Sequence, residues 1–109
     1  MVKPLRRGLK VAESKILEEV FTVVKDRRDN PKPESYTSGL MAKGLRSILE
    51  KISEEADELI EAAEFKDEPE VVHESADLIF HILVLLAYKR IELTKVFEEL
   101  KRRRRVKAK

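Results

Sequence analysis

The apolar segment from Leu78 to Ala87 constrains the fold of this chain more than any other feature. His81 is its polar interruption, so a helix over these residues is apolar on nearly every face. A membrane span needs about 20 apolar residues, and this segment is too short for one. We therefore expect a core helix covered from several sides and no membrane partner. Because a chain of 109 residues buries only a modest core by itself, we expect a homodimer with helices of both copies in one bundle.

The remaining sequence predicts an all-α fold. Charged residues make up 40% and hydrophobic residues 42%, with only 3 glycines, a composition typical of amphipathic helices. Pro31 and Pro33 end the first helix, Gly44 separates a short helix from the next long one, and Pro69 lies near a helix start. Periodicity predicts four main helices and one short helix, at about residues 11–28, 40–42, 45–65, 70–88 and 93–104.

The two ends of the chain are basic. We expect a basic N-terminal arm over residues 1–10, a single all-α domain over residues 11–104 and a basic C-terminal tail over residues 105–109. The arm lacks the apolar run of a signal peptide, and cysteine is absent, which agrees with the cytoplasmic location that we expect. No aromatic residues interrupt the arginine run at the C-terminus, so nucleic acid binding is disfavoured.

Two acidic clusters at helical spacing form the candidate functional site. Glu55 and Glu58 share one face of the third predicted helix, with Glu54 close by, because residues three or four apart are neighbours on a helix. Glu74 and Asp77 repeat this spacing on the next helix. Packing these helices side by side brings together carboxylates that are costly to desolvate without compensation. A hard divalent cation with oxygen ligands, Mg²⁺ or Mn²⁺, relieves their repulsion.

This site favours hydrolysis of a phosphoanhydride. Carboxylate-bound Mg²⁺ keeps waters, binds substrate phosphates and neutralises a leaving pyrophosphate. The sequence contains neither a G-x-S-x-G elbow nor a P-loop, which argues against acyl transfer and a P-loop mechanism. Glu54, as an unliganded carboxylate, can accept a proton from the attacking water. A single ExxE is more often a solvated helix face, and the periodicity of both clusters supports a metal site and a solvated surface about equally.

The segment around the short helix offers candidates for binding phosphate. Hydroxyl and backbone N–H groups at a helix start suit anions, although helix capping and a solvated lysine are the simpler explanation from the residues alone. Lys51 is either a salt-bridge partner of Glu54 or Glu55 or a ligand of a substrate phosphate. The remaining candidates are Ser35, Tyr36, Thr37 and Lys43.

Both histidines carry a weak signal. His73 follows Glu70 in the Glu-x-x-His spacing of di-iron bundles, but those proteins need the motif twice and this chain has it once. His81 lies one helical turn after Asp77. For His81 a hydrogen-bonded core histidine is favoured over a metal ligand.

The acidic clusters resemble a known signature. EEADE at residues 54–58 followed by ESAD at residues 74–77 is similar to the EExxE…ExxD pattern of the all-α nucleotide pyrophosphohydrolases, the MazG-like superfamily. SYT at residues 35–37, AKG at 42–44 and LVLL at 83–86 resemble, within that group, phosphoribosyl-ATP pyrophosphohydrolase. The resemblance covers about residues 12–104.

This resemblance implies a Mg²⁺-dependent, dimeric enzyme of histidine biosynthesis that converts phosphoribosyl-ATP and water to phosphoribosyl-AMP and pyrophosphate. It implies catalytic roles for Glu54, Glu55 and Glu58. Ser47 replaces a lysine that the family often has, and Arg46 is the candidate substitute for its phosphate contact. Lys89-Arg90-Ile91 stands where the family often has a glycine. The implied metal ligands are Glu55, Glu58, Glu74 and Asp77.

Two further functions stay open. One is a house-cleaning pyrophosphohydrolase of the same superfamily that acts on ordinary or damaged nucleoside triphosphates. The other is a non-enzymatic helical dimer with a basic tail that binds nucleic acid. The four acidic residues separate the enzymes from the binding protein, and the segment over residues 35–44 favours phosphoribosyl-ATP as the substrate.

Overall fold

Five helices make up the part of the chain that the computed structural model describes, which is Glu13 and residues 15–107. This confirms the predicted all-α class with four main helices and one short helix. The expected N-terminal arm and the expected helix start at Val11 lie outside the described residues. The helices are α1 (Ile16–Asp29), α2 (Tyr36–Lys43), α3 (Leu45–Phe65), α4 (Glu68–Tyr88) and α5 (Leu93–Lys107).

Local signals explain where α2 and α3 begin. Ser35 is the N-cap of α2, and its side-chain oxygen accepts a hydrogen bond from the Ser38 backbone N–H at 3.1 Å, which satisfies one of the free donors of the first turn. Gly44 joins α2 to α3 with a φ of 100°, a left-handed conformation that glycine adopts without a steric cost. The predicted bounds of the third helix agree with those of α3.

At the end of α4, Arg90 rather than a glycine adopts a left-handed backbone conformation. The Ile91 N–H bonds to the Leu86 carbonyl at 2.9 Å, and the Arg90 N–H bonds to the Ala87 carbonyl at 3.0 Å, which is the Schellman pattern of a helix C-terminus. Arg90 has a φ of 59°. The backbone thus places a β-carbon where glycine is the usual choice, at a cost of about 1 kcal/mol.

The core forms where α4 packs against its neighbours. α4 contacts α3, α1 and α2, so its apolar second half takes the central place that the sequence predicts. Helix α3 lies along it and α1 covers another side. The buried core side chains are Phe21, Val24, Leu40, Ile48, Leu83, Val84, Ala87 and Leu93.

One face of α4 stays open within a single chain. Ile79 and Ile82 are 45% and 40% exposed, and Val72 lies on the same face and is also exposed. Of the described helices, α4 alone has the length and composition of a membrane span, and 22% of its most apolar 18 residues are buried. The buried His81 and the half-buried Glu74 and Asp77 on α4 are typical of a core helix rather than a lipid-facing one.

Helix α5 packs less closely than its pattern predicts. The helical spacing of Val96, Phe97 and Leu100 predicts that they form its buried side. Leu93 is buried, but Leu100 is 57% exposed, and a groove of about 680 Å³ opens between α5 and α1 near Phe97. The helix also continues to Lys107, beyond the expected end at Arg104. Arg102 and Arg103 support this extension by bonding Glu99 at 2.6 Å and 3.0 Å, and these bonds lower the pKa of Glu99 to about 2.

Candidate active site

Four carboxylates from α3 and α4 meet on one side of the molecule. Glu55, Glu58 and Glu74 each offer an oxygen atom, and these atoms lie within 4.8 Å of one another. Asp77 lies close enough to Glu55 for its carboxyl group to raise the pKa of Glu55. The structure therefore brings together the residues that the sequence proposes as metal ligands.

The geometry of the α3–α4 hairpin explains this meeting. Lys66 and Asp67 form the turn between the helices, and α4 folds back along α3, as in other helical hairpins. Residues at equal distances from such a turn lie opposite each other. Glu58 and Glu74 form one such pair, with Glu55 and Asp77 a turn further away, and in each pair the neighbouring carboxyl helps to raise the pKa of Glu74 or Glu55.

The site places its charges at different depths. Glu55 is 5% exposed, Glu58 is exposed, and Glu74 and Asp77 are half-buried. Burial raises the pKa of Glu55 to about 7, and the neighbouring Glu58 and Asp77 carboxyls contribute to this rise. Desolvation and the charge of Glu58 also raise the pKa of Glu74. The folded chain therefore resists carrying four negative charges here.

One oxygen atom of Glu74 indicates that a bound cation would offset the repulsion among these carboxylates. Glu74 Oε1 is buried and has no hydrogen-bond partner within the described residues, which is rare for a buried polar atom in a native fold. An oxygen-liganded dication satisfies the buried oxygen and offsets the repulsion at the same time, so the residues present fit Mg²⁺ or Mn²⁺.

Lys51 and Glu54 lie beside this cluster on α3. The Lys51 Nζ atom is 3.4 Å from Glu54 Oε1, with side chains 33% and 61% exposed. Desolvation acts to lower the pKa of Lys51, but the hydrogen bond to Glu54 and nearby charges raise it by more. Lys51 is therefore a stable cation, and in this structure its partner is Glu54 rather than Glu55.

Tyr36 connects α2 to the acidic site through His81. The Tyr36 Oη atom is 2.8 Å from His81 Nε2, and His81 Nδ1 is 2.8 Å from the Asp77 carbonyl oxygen. Since a carbonyl only accepts, Nδ1 carries the proton and donates it, and Nε2 accepts from the Tyr36 hydroxyl. His81 is 5% exposed and its ring packs edge-on against Tyr36 and Phe80. It is thus a hydrogen-bonded core histidine.

The other expected phosphate contacts are at different depths. Ser35 uses its hydroxyl as the cap of α2, and Thr37 is 7% exposed. Lys43 ends α2, and Arg46 follows in the first turn of α3. Both basic residues are exposed. Lys43 and Arg46 therefore have the freedom to reach a bound anion, whereas the Ser35 and Thr37 side chains do not.

Ser38 has a structural role instead. Its hydroxyl donates a hydrogen bond to the Arg27 carbonyl at 2.9 Å and accepts one from the Lys32 backbone N–H at 3.1 Å. These bonds fix the α1–α2 connection against the start of α2. Local sequence patterns do not reveal this role, because the two partners that Ser38 bonds lie six and eleven residues away.

His73 is the residue that sequence reasoning undervalued. Its Nε2 atom lies 3.3 Å from Asp77 Oδ2, and His73, Glu74 and Asp77 offer ligand atoms within 4.8 Å of one another. The Glu-x-x-His spacing pairs His73 with Glu70, three residues earlier. The informative spacing is the four residues from His73 to Asp77, which places both side chains on one face of α4.

Known proteins match almost the whole described chain. Residues 17–104 match the family model of phosphoribosyl-ATP pyrophosphohydrolase. A phosphoribosyl-ATP pyrophosphatase of Methanocella arvoryzae is 51% identical over 92 residues, covering 83% of this chain and 97% of that protein. The corresponding protein of Methanobrevibacter smithii is 47% identical over 98 residues, with coverages of 86% and 99%. That of Geotalea daltonii is 46% identical over 88 residues, with coverages of 81% and 83%.

Proposed function

The chain belongs to the phosphoribosyl-ATP pyrophosphohydrolase family, within the MazG-like all-α superfamily, and is an enzyme; on this premise we propose that it hydrolyses phosphoribosyl-ATP to phosphoribosyl-AMP and pyrophosphate in the second step of histidine biosynthesis. Membership sets aside the non-enzymatic alternative. The observation that carries the proposal is the convergence of acidic side chains from α3 and α4 around the unpartnered Glu74 oxygen.

We propose that this cluster binds Mg²⁺ through Glu55, Glu58, Glu74 and Asp77. The support is the oxygen-only character of this set, the buried orphan oxygen and the raised pKa of Glu55. When bound, the ion polarises the phosphoryl group and offsets the charge that develops on the leaving pyrophosphate. The four carboxylates would hold the ion where α3 packs against α4.

The residues beside the cluster supply the remaining chemistry. The oxygen of the attacking water bonds to the α phosphorus, and the bond from that phosphorus to the oxygen that bridges the α and β phosphates breaks. The bridging oxygen takes the electron pair and leaves as part of pyrophosphate. Glu54 accepts the proton of the water, because it lies outside the set of ligands and its side chain is 61% exposed. Lys51 balances the charge of Glu54 and lies within reach of a substrate phosphate.

The substrate contacts are proposed around α2 and the start of α3. The exposed cations Lys43 and Arg46 bind phosphate groups, and Arg46 substitutes for the lysine that Ser47 replaces. The Tyr36 ring is 54% exposed and is held by His81, so it offers a fixed surface beside the site. Ser35 and Thr37 contribute through backbone groups at the start of α2.

A pyrophosphate-release assay tests this function. It compares phosphoribosyl-ATP with ATP and deoxynucleoside triphosphates, with Mg²⁺ and with a chelator. We expect phosphoribosyl-ATP to be the preferred substrate and Mg²⁺ to be required. Faster turnover of the ordinary triphosphates would favour the house-cleaning reaction instead.

Substitutions test the metal site. Glu55→Gln and Asp77→Asn should abolish pyrophosphate release while circular dichroism shows an unchanged helix content, because each removes a charged ligand with little change of shape. Glu61→Gln is the matched control, as Glu61 is exposed on the same helix outside the cluster. Full activity of either ligand variant would remove the argument for a metal site.

We also propose that the enzyme is a homodimer that covers the open face of α4. The support is the exposure of Ile79 and Ile82 on a helix whose other side forms the core. Analytical ultracentrifugation should give a dimer for the unchanged chain and a monomer for Ile79→Lys. Leu100→Lys, at an exposed position of α5, serves as the control. A monomeric unchanged chain at micromolar concentration would contradict the proposal.

A further inference from the structure

Glu74 belongs to two potential ligand groups rather than one. The first consists of Glu55, Glu58 and Glu74, and the second consists of His73, Glu74 and Asp77, each with its atoms within 4.8 Å of one another. The first group offers oxygen atoms only. The second adds an imidazole nitrogen on the solvent side, since the His73 side chain is 66% exposed.

The spacing within the second group suits coordination to one ion. Neighbouring ligands of an octahedral dication with bonds of about 2.1 Å lie about 3 Å apart. His73 Nε2 and Asp77 Oδ2 are 3.3 Å apart, so only a small movement brings both onto one ion. The unpartnered Glu74 oxygen belongs to the residue that the two groups share. It supports a bound cation here independently of the distances.

We infer that His73 is a direct metal ligand of this site, so that the chain binds a borderline transition dication such as Mn²⁺ or Co²⁺ through a mixed nitrogen and oxygen set. This inference rests on the proposed function, because it adds a ligand to the metal site used there. An imidazole nitrogen strengthens binding of first-row transition metals, whereas Mg²⁺ prefers oxygen ligands. The site thus gains selectivity that four carboxylates alone do not provide.

The chain is well suited to a spectroscopic test because it contains only 2 histidines. His81 uses one ring nitrogen towards the Asp77 carbonyl and the other towards Tyr36, and it is buried. His73 is therefore the imidazole with a nitrogen available to an added ion. A coordinated imidazole nitrogen couples magnetically to Mn²⁺, and electron spin-echo modulation detects this coupling.

The experiment loads the full-length chain, freed of any histidine tag, with Mn²⁺ alone. We expect nitrogen modulation in the unchanged protein and its loss in His73→Leu. Titration with Co²⁺ should show binding weakened at least about tenfold in His73→Leu, whereas Mg²⁺ binding should change by less than about twofold. Glu70→Gln is the matched control, since it alters an exposed charge one turn earlier on the same helix.

The outcomes separate this inference from the proposed function. Mn²⁺ binding and normal turnover without nitrogen modulation would overturn the inference and leave the enzymatic function standing. Modulation that persists in His73→Leu would also overturn it, because the nitrogen would then come from elsewhere. A chain that binds no Mn²⁺ and releases no pyrophosphate would refute both.

Discussion

Replacing Glu55 by glutamine separates the electrostatic cost of the acidic site from its catalytic use. Glu55 is almost fully buried beside Glu58 and Asp77, and its pKa is raised from 4.5 to about 7. Each unit of pKa difference between the folded and unfolded states corresponds to 1.36 kcal/mol. The ionised Glu55 side chain therefore destabilises the metal-free fold by about 3 kcal/mol. Glutamine keeps the shape of the side chain and carries no charge.

The sign of the pH dependence follows from the proton affinities of the two states. The folded chain holds the Glu55 proton up to a pH of about 7, while the unfolded chain releases it near 4.5. Since the folded state binds more protons in this interval, its stability falls as pH rises from about 4.5 to 7 and then levels off. In the presence of a chelator, we expect Glu55→Gln to match the unchanged protein below pH 4.5. At pH 8 its free energy of unfolding should be about 3 kcal/mol higher.

Urea unfolding followed by circular dichroism measures this difference at a fixed protein concentration, which matters if the chain is a dimer. Addition of Mg²⁺ at about 100 times its dissociation constant should then stabilise the unchanged protein by about 2.7 kcal/mol and Glu55→Gln by much less. Glu61→Gln should follow the unchanged protein throughout. Parallel pH profiles for Glu55→Gln and the unchanged protein would refute the electrostatic reasoning.

Three further substitutions test other parts of the structure. Tyr36→Phe removes the hydrogen bond to the buried His81 and should lower the free energy of unfolding by about 1 kcal/mol; an unchanged urea midpoint would show that this bond contributes nothing. Arg90→Gly relieves the left-handed backbone at φ 59° and loses only an exposed ion pair with Asp29 at 4.0 Å, so thermal unfolding should show a gain of about 1 kcal/mol. A loss of stability there would mean that the ion pair outweighs the strain. Truncation after Arg104 should leave pyrophosphate release within about twofold, because the acidic site lies on α3 and α4. A loss as large as that of Asp77→Asn would give the basic end a role in turnover.

Much of the fold was predictable because its boundaries depend on local chemistry. Gly44 and Pro69 act within one or two residues of their own position, by backbone conformation and by the missing N–H. The short turn at residues 66–67 also makes the pairing of the two acidic clusters predictable in principle, since they lie at equal distances from it. The end of α4 was harder to predict, because Arg90 occupies a position where glycine is the usual signal.

The sequence predicts which residues form the candidate site but not how deeply each of them is buried. Helical periodicity assigns Glu55 and Glu58 to the same face, yet Glu55 is buried and Glu58 is exposed. Their different burial depends on how α3 is rotated against α4, which is set by packing of the whole core. The hydrogen bond between Tyr36 and His81 joins residues 45 positions apart, so no local sequence pattern predicts it.

The sequence by itself determined the all-α class, most helix boundaries, the family and the four acidic residues. The class and the boundaries follow from interactions over a few residues. The family and the acidic residues follow from a motif that can be read directly in the sequence. Only the tertiary structure decided which carboxylate loses its solvent and which oxygen of Glu74 is left without a partner. Burial and side-chain position depend on what packs over a helix face, whereas periodicity shows only where that face lies.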